Sequence, residues 1–330
     1  MNIKELKEYL WNGAVIVVQV TPFTDDEDLD ITALRSNTDF LVENAKDGPL
    51  VLTPLGSTGE FYALNFEEYK KVVDTVIDAA NGKIPVIVGA AQAGTKVTIE
   101  YAKYAQDAGA DGVQIVLPYY HPVSEEGLFL HYKQICESLD IGVVIYNNPD
   151  VSKLYMKPQL LKKLIEECDN IVAVKENTPF IPTLYQHIVL SGSGVAIYQG
   201  RGEWWYAATA HLGVKGYVSS YANFMPKLCL ELLNAGKVLD LRRLKKFMDI
   251  LRPYDEFIGY VSKKYGPSTV ILPYPYSQDA FYISVVKATM NILGLAGGVS
   301  RAPLINLKPE DIKLLEDIVF NKLKLQKITK

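Results

Sequence analysis

A lysine at the end of a short apolar run is the residue in this sequence best suited to covalent chemistry. Ile171-Val172-Ala173-Val174 precedes Lys175, and such a run is typical of a buried parallel strand. The carboxyl end of such a strand is where a polar group can meet a ligand. Desolvation there lowers the pKa of an amine and frees it as a nucleophile. The alternative is that Lys175 merely extends to solvent.

Hydroxyl and phenol side chains stand at the ends of other apolar runs: the turn Gly56-Ser57-Thr58-Gly59, Tyr120, Tyr146 and the glycine-rich turn at Gly200. A lysine beside phenols suits Schiff-base chemistry on a 2-oxo acid, because the iminium is an electron sink and a phenol can shuttle protons. The N–H groups and hydroxyls of the first turn can hold a carboxylate. Each tyrosine taken singly is as well explained by packing, since the chain has 21.

Eight short apolar runs alternate with helix-forming segments, which predicts a parallel (β/α)8 TIM barrel over residues 1–235 with a short amphipathic helix at its start. Residues 236–330 are predicted to form a C-terminal helical extension packed on the barrel, with helices at 279–293 and 309–323. The predicted strands are 14–20, 50–55, 85–89, 113–117, 143–146, 171–174, 195–198 and 216–219.

Composition narrows the class of protein. The chain has 330 residues, 48% hydrophobic and 22% charged, with a net charge of −4, which is ordinary for a globular domain and attracts neither nucleic acid nor an anionic membrane. No apolar run reaches the ~18 residues of a membrane span, and we expect a cytoplasmic protein. The three cysteines and four histidines are scattered, so we expect neither a disulfide framework nor a metal site.

Six motifs along the chain, in a fixed order and nearly all at strand ends, resemble the dihydrodipicolinate synthase / N-acetylneuraminate lyase superfamily of class I, pyruvate-type aldolases. The resemblance extends from about Trp11 to Ile305. The motifs are Val20-Thr21-Pro22-Phe23, Gly56-Ser57-Thr58-Gly59-Glu60, Pro118-Tyr119-Tyr120, Tyr146-Asn147-Asn148-Pro149, Val174-Lys175-Glu176, and Gly213-Val214-Lys215-Gly216 continuing to Ala222-Asn223.

The resemblance implies roles for individual residues. Lys175 becomes the Schiff-base lysine, and Tyr146 the phenol that handles protons beside it. Ser57 and Thr58 become carboxylate binders, with one of them, assigned here as Thr58, also a link in the proton relay. Tyr120 matches a tyrosine that in synthase members reaches a neighbouring subunit's site. The other implied substrate-binding positions are Gly56, Gly200 and Val218. The family implies a homotetramer built as a dimer of dimers, and no cofactor besides the covalent Schiff base.

One position departs from the synthase pattern. Synthase members carry an arginine two residues after the proline of the Tyr-Asn-x-Pro motif, where it meets the carboxylate of the aldehyde substrate; here that position is Val151. An isopropyl group cannot replace a guanidinium fork. Gly297-Gly298-Val299-Ser300 with its flanking residues resembles instead the branches that act on 2-keto-3-deoxy sugar acids and on hydratase-aldolase substrates. Glu203, Trp204 and Trp205 are predicted either to line a pocket or to open a packed helix.

The sequence therefore predicts a Schiff-base lyase that cleaves or dehydrates a 2-keto-3-deoxy acid held on Lys175. Dihydrodipicolinate synthase with a displaced cation is the second option. A non-catalytic sensor of 2-oxo acids is a third, disfavoured because a binder would need neither Lys175 nor Tyr146. A metal-dependent aldolase is disfavoured by the lack of a ligand cluster in the sequence.

Overall fold

The computed structural model describes residues 1–192, 194–267 and 281–328. Eight parallel strands follow one another in the order β2-β1-β8-β7-β6-β5-β4-β3. A parallel bridge between Leu52 and Val86 joins β2 to β3 and closes the barrel. The predicted (β/α)8 barrel is therefore confirmed. The strands are β1 Val15–Val18, β2 Leu50–Thr53, β3 Ile87–Gly89, β4 Gly112–Val116, β5 Gly142–Asn147, β6 Ile171–Glu176, β7 Ala196–Gln199 and β8 Gly216–Ser219.

Helices cover the outside of the barrel and form the region that follows it. The helices are α1 Ile3–Trp11, α2 Ile31–Asn44, α3 Phe66–Ala80, α4 Thr95–Asp107, α5 Glu125–Glu137, α6 Pro149–Ser152, α7 Pro158–Glu167, α8 Ile181–Ser191, α9 Glu203–Thr209, α10 Pro226–Lys237, α11 Leu241–Tyr265, α12 Phe281–Leu293 and α13 Pro309–Asp317. The predicted helix at 309–323 is split, because its last turn, Ile318–Lys322, is a π-helix. The first two residues of the predicted helix at 279–293 lie outside the described residues.

Two layers of apolar side chains fix the barrel. The larger layer lies between the strands and the surrounding helices, and the smaller one fills the interior of the barrel. Leu6 and Leu10 of α1 belong to the interior layer, and the Tyr198 hydroxyl donates to the Leu10 carbonyl at 2.8 Å. The first helix thus covers the amino ends of the strands, which leaves the carboxyl ends as the open face of the barrel.

The helices after the barrel pack on it through charged as well as apolar contacts. Lys287 of α12 forms an ion pair with Glu60, and both side chains are buried. Arg301 forms a bidentate pair with Glu68 at 2.8 and 3.0 Å. This region is the helical extension that the sequence predicts, although the division at residue 235 stays a prediction. Within the described ranges, none of the helices combines the length and apolar composition that crossing a lipid bilayer requires.

Candidate active site

Lys175 lies inside β6, one residue before the strand ends, and its neighbours in the sheet are Tyr146 of β5 and Tyr198 of β7. Only 3% of its surface is exposed. Removal from water disfavours the charged ammonium and lowers the pKa of Lys175 to about 7. The amine is therefore largely neutral just above neutral pH.

Tyr146 stands beside the lysine. The Lys175 Nζ atom is 3.7 Å from the centre of the Tyr146 ring. Burial raises the pKa of Tyr146, with a smaller contribution from the nearby phenol of Tyr282. Asn148 Nδ2 donates to the Tyr146 hydroxyl at 2.8 Å, and Ser57 forms a second hydrogen bond with it. The phenol is thus protonated and held by two neighbours while the adjacent amine is neutral.

The turn after β2 places the hydroxyls of Ser57 and Thr58 near Lys175 and Tyr146. A Cβ at Gly56 would lie 2.6 Å from the Val18 side chain, so the turn can approach β1 only with glycine there. Ser57 contacts Tyr146, whereas the Thr58 hydroxyl lies 3.1 Å from the hydroxyl of Tyr282. The hydroxyl in contact with the phenol of β5 is therefore that of Ser57, not that of Thr58, which the sequence analysis assigns to the relay.

Two further predicted positions border the same space, and one does not. Gly200 and Val218 line a cavity with Lys175. A Cβ on Gly200 would lie 1.7 Å from Asn177 Oδ1, so this position accepts only glycine. Tyr120 is 71% exposed and borders neither cavity beside Tyr146. The structure thus brings together every predicted site residue except Tyr120.

The cavity above Lys175 has a volume of about 310 Å³, and its lining includes two acidic side chains, Glu203 and Asp255. Burial raises the pKa of Glu203 to about 7 and that of Asp255 to about 6. Asp255 accepts hydrogen bonds from the Tyr221 hydroxyl and the Trp204 indole, each at 2.5 Å. Glu203 and Trp204, predicted either to line a pocket or to open a packed helix, do both. Asp255 was missed, because nothing in helix α11 marks it as facing the barrel.

A single arginine borders this cavity among the described lining residues, and it is paired. Arg201 Nη1 donates to Asp150 Oδ2 at 2.8 Å and to the Asn177 carbonyl at 3.1 Å. Val151, at the position of the synthase arginine, borders a second, mainly apolar cavity of about 250 Å³ beyond Tyr146. The described side chains therefore offer no guanidinium at the predicted place, and the nearest one is already neutralised by a carboxylate.

A buried cluster of hydrogen-bonded polar side chains surrounds Glu176, the last residue of β6. His187 Nδ1 lies 2.6 Å from Glu176 Oε2, and His187 Nε2 lies 3.0 Å from the Met156 carbonyl. Asn147 Nδ2 donates to Glu176 Oε2 at 2.8 Å. The sequence analysis missed His187, because a lone histidine carries no spacing signal. Within the described part of the chain, no three His, Cys, Asp or Glu side chains come close enough together to hold a metal ion.

An eight-stranded parallel barrel with a buried lysine against a phenol at its open face defines a lyase of the class I aldolase type. Residues 12–253 match the Dihydrodipicolinate synthetase family. The chain belongs to this family, as the sequence motifs predict.

Individual relatives agree with this assignment. The 4-hydroxy-tetrahydrodipicolinate synthase of Methanocaldococcus jannaschii is 32% identical over 300 residues, which cover 91% of this chain and 95% of that protein. The crystal structure of dihydrodipicolinate synthase from Aquifex aeolicus has a TM-score of 0.82 at 29% identity, covering 96% of this chain and 100% of that one. YagE of E. coli K12, a family member solved in complex with pyruvate, has a TM-score of 0.80 at 26% identity, covering 95% and 99%.

Proposed function

We propose that this lyase holds a 2-oxo acid as a Schiff base on Lys175 and catalyses reversible aldol cleavage, or dehydration, of a 2-keto-3-deoxy sugar acid. The observation that carries the proposal is the set of polar side chains in the lining of the main cavity. Its described lining includes Glu203, Asp255 and the indole of Trp204, which suit a tail of hydroxyl groups. Burial raises the pKa of both carboxyl groups, so they can donate hydrogen bonds to hydroxyl groups as well as accept them. A tail that ends in a carboxylate would instead need a cation, and Arg201, which borders this cavity, is already paired with Asp150.

The first steps use the two neutral groups of the lysine–phenol pair. The Lys175 amine attacks C2 of the 2-oxo acid and forms a carbinolamine. Tyr146 gives its proton to the carbinolamine hydroxyl, which leaves as water, and the nitrogen lone pair forms the iminium. Ser57, in contact with the phenol, can donate a hydrogen bond to the phenolate that remains. The substrate carboxylate is held by the turn of Gly56, Ser57 and Thr58.

The iminium then accepts the electrons of the bond that breaks. In aldol cleavage the electrons of the C3–C4 bond flow to nitrogen, an enamine forms, and the phenolate of Tyr146 takes the proton of the C4 hydroxyl as the aldehyde leaves. Protonation at C3 and hydrolysis release pyruvate and restore Lys175. In dehydration, the phenolate of Tyr146 takes a C3 proton and the same kind of enamine forms. Tyr146 then gives this proton to the C4 hydroxyl, which leaves as water, and hydrolysis of the resulting conjugated iminium restores Lys175.

Synthesis of 4-hydroxy-tetrahydrodipicolinate from pyruvate and aspartate semialdehyde is the second candidate, favoured by the names of the relatives. It would require a cation for the aldehyde's carboxylate. Arg201 borders the cavity but is paired with Asp150, so binding that carboxylate would mean exchanging one anion for another. The buried, low-pKa lysine argues against a mere sensor of 2-oxo acids.

The first test is reductive trapping. Protein incubated with pyruvate and borohydride should gain one reduced pyruvoyl group on Lys175 by intact mass and peptide mapping, and Lys175→Ala should gain none. Condensation of pyruvate is then compared for glyceraldehyde and aspartate semialdehyde. Faster turnover of the hydroxyaldehyde is expected, and faster turnover of aspartate semialdehyde would establish the second candidate instead.

Val151→Arg sharpens this comparison. It restores a guanidinium where synthase members have one, so we expect it to raise kcat/KM for aspartate semialdehyde by about tenfold, the effect of one charge-assisted hydrogen bond. Val151→Met, which adds length without charge, is the matched control. Equal responses of the two variants would show that charge at this position does not select the aldehyde.

A further inference from the structure

A tyrosine of the C-terminal extension takes part in the hydrogen bonding of the reaction centre. Tyr282 is the second residue of α12, and its hydroxyl lies 3.1 Å from the hydroxyl of Thr58. It borders both the cavity with Lys175 and the second cavity beyond Tyr146. Its phenol also contributes to the raised pKa of Tyr146. Neither the barrel motifs nor the proposed mechanism assigns it a task.

The placement of Tyr282 is fixed by a second contact of the same helix with the same turn. Lys287, on α12, pairs with Glu60 and also donates to the Val299 carbonyl at 2.6 Å. Glu60 has a left-handed backbone conformation directly after the hydroxyl-bearing turn. Helix α12 therefore contacts the turn at both Thr58 and Glu60. These two contacts keep the Tyr282 hydroxyl next to the Thr58 hydroxyl.

Either hydroxyl can be the donor in the Tyr282–Thr58 hydrogen bond, and the relative acidity of the two groups favours Tyr282. A phenol, with an ordinary pKa near 10, is a better donor than an alcohol. When Tyr282 donates to Thr58 Oγ1, the Thr58 hydroxyl proton is free to be donated to another group. Thr58 borders the main cavity, where the substrate carboxylate is expected, and that carboxylate can accept this proton in a hydrogen bond. A hydroxyl without such a donor could rotate and present its oxygen lone pairs to the carboxylate instead.

We propose that Tyr282 is a positioning residue that directs the Thr58 hydroxyl toward the carboxylate of the 2-oxo acid, so that the C-terminal extension completes the binding site. This inference rests on the proposed Schiff-base function. It predicts that loss of the Tyr282 hydroxyl weakens binding of the 2-oxo acid and leaves the chemistry at Lys175 intact.

The test is Tyr282→Phe in the trapping assay over a range of pyruvate concentrations. One hydrogen bond is worth about 0.5–1.5 kcal/mol, so the half-saturating pyruvate concentration should rise about 2- to 13-fold at an unchanged maximal rate. Tyr254→Phe is the matched control, because its hydroxyl also pairs with a threonine of α12, Thr289, at 2.8 Å, and it borders neither cavity beside Tyr146.

Two further readouts separate positioning from simple structural damage. Methyl pyruvate lacks the carboxylate charge, so its half-saturating concentration should change less than that of pyruvate. A poorly folded variant would instead bind both ketones more weakly, to the same extent. In a Thr58→Val background, Tyr282→Phe should have no additional effect. Unchanged half-saturation in Tyr282→Phe, or additive effects, would overturn the inference. Failure of the wild-type protein to form any adduct would instead remove the proposed function itself.

Discussion

Burial acts in opposite directions on the two central side chains. It lowers the pKa of Lys175 to about 7 and raises that of Tyr146, in each case because the charged form loses hydration. The result is an acid that stays neutral, in contact with an amine that becomes mostly neutral just above pH 7. No counter-ion is needed for this state, and the same low-dielectric environment would favour attack by the amine.

The first prediction concerns the pH dependence of trapping. Only the neutral amine attacks the ketone, and Tyr146 stays protonated across the range. The initial rate at fixed pyruvate, measured with cyanoborohydride, should therefore rise with pH, reach half its maximum at about pH 7 and level off roughly one pH unit higher. A rate that keeps rising towards the ordinary lysine value of 10.5 would show that Lys175 is hydrated in solution.

The second prediction distinguishes the role of Tyr146 in proton transfer from that of Lys175 in forming the Schiff base. Tyr146→Phe keeps the ring against Lys175 but removes the proton donor, so turnover should fall about 10²- to 10⁴-fold while the adduct still forms slowly. Lys175→Arg keeps a long basic side chain but cannot form the imine, and it should give no adduct. Near-normal turnover in Tyr146→Phe would assign the proton transfers to another group.

At the scale of elements, the ion pair between α12 and the turn after β2 joins the extension to the site. Lys287 is 1% exposed and Glu60 is 0% exposed. Removing one partner leaves an uncompensated buried charge, so Lys287→Met should lower the free energy of unfolding by about 3–5 kcal/mol, measured by denaturant titration. The double variant Lys287→Met, Glu60→Gln should recover part of that loss.

An exposed pair in the same region is the control. Arg252 and Glu256 stand one turn apart on α11, and both are largely exposed. Arg252→Met should leave the unfolding free energy almost unchanged, because solvent screens such pairs. Burial lowers the pKa of Lys287 to about 8, which still leaves it mostly charged at pH 7. A small effect of Lys287→Met, similar to that of Arg252→Met, would therefore contradict the buried charge pair.

The strand–helix alternation made most of the barrel predictable, because buried parallel strands leave continuous apolar runs in the sequence. For the same reason Lys175, Tyr146 and Gly56 could be placed at one face of the barrel. Asp255 and Tyr282 could not, because they come from helices whose facing side depends on tertiary packing alone. Sequence also does not say which of the adjacent side chains Ser57 and Thr58 turns toward the phenol. The structure brings the Ser57 hydroxyl to Tyr146, and the relay role given to Thr58 stays a prediction.

At the scale of the whole molecule, the exposure of Tyr120 poses the remaining question. Tyr120 is 71% exposed in the single chain, so most of its apolar ring is in contact with water. Contact with a second copy of the chain would bury that ring. Ser57 and Tyr146 border the second cavity, which is mainly apolar and open. We propose, as the family resemblance implies, a tetramer in which Tyr120 reaches a neighbouring copy. Light scattering after gel filtration should give four times the chain mass of 36.8 kDa.

Subunit mixing decides whether Tyr120 acts within its own chain. Lys175→Ala and Tyr120→Ala should each be nearly inactive alone. If the phenol acts across a two-fold interface, one site of every mixed dimer has Lys175 from one copy and Tyr120 from the other. Random pairing then restores about a quarter of the wild-type sites after joint unfolding and refolding. If Tyr120 serves its own chain, no mixed dimer contains a complete site, and the mixture stays inactive however long the subunits exchange.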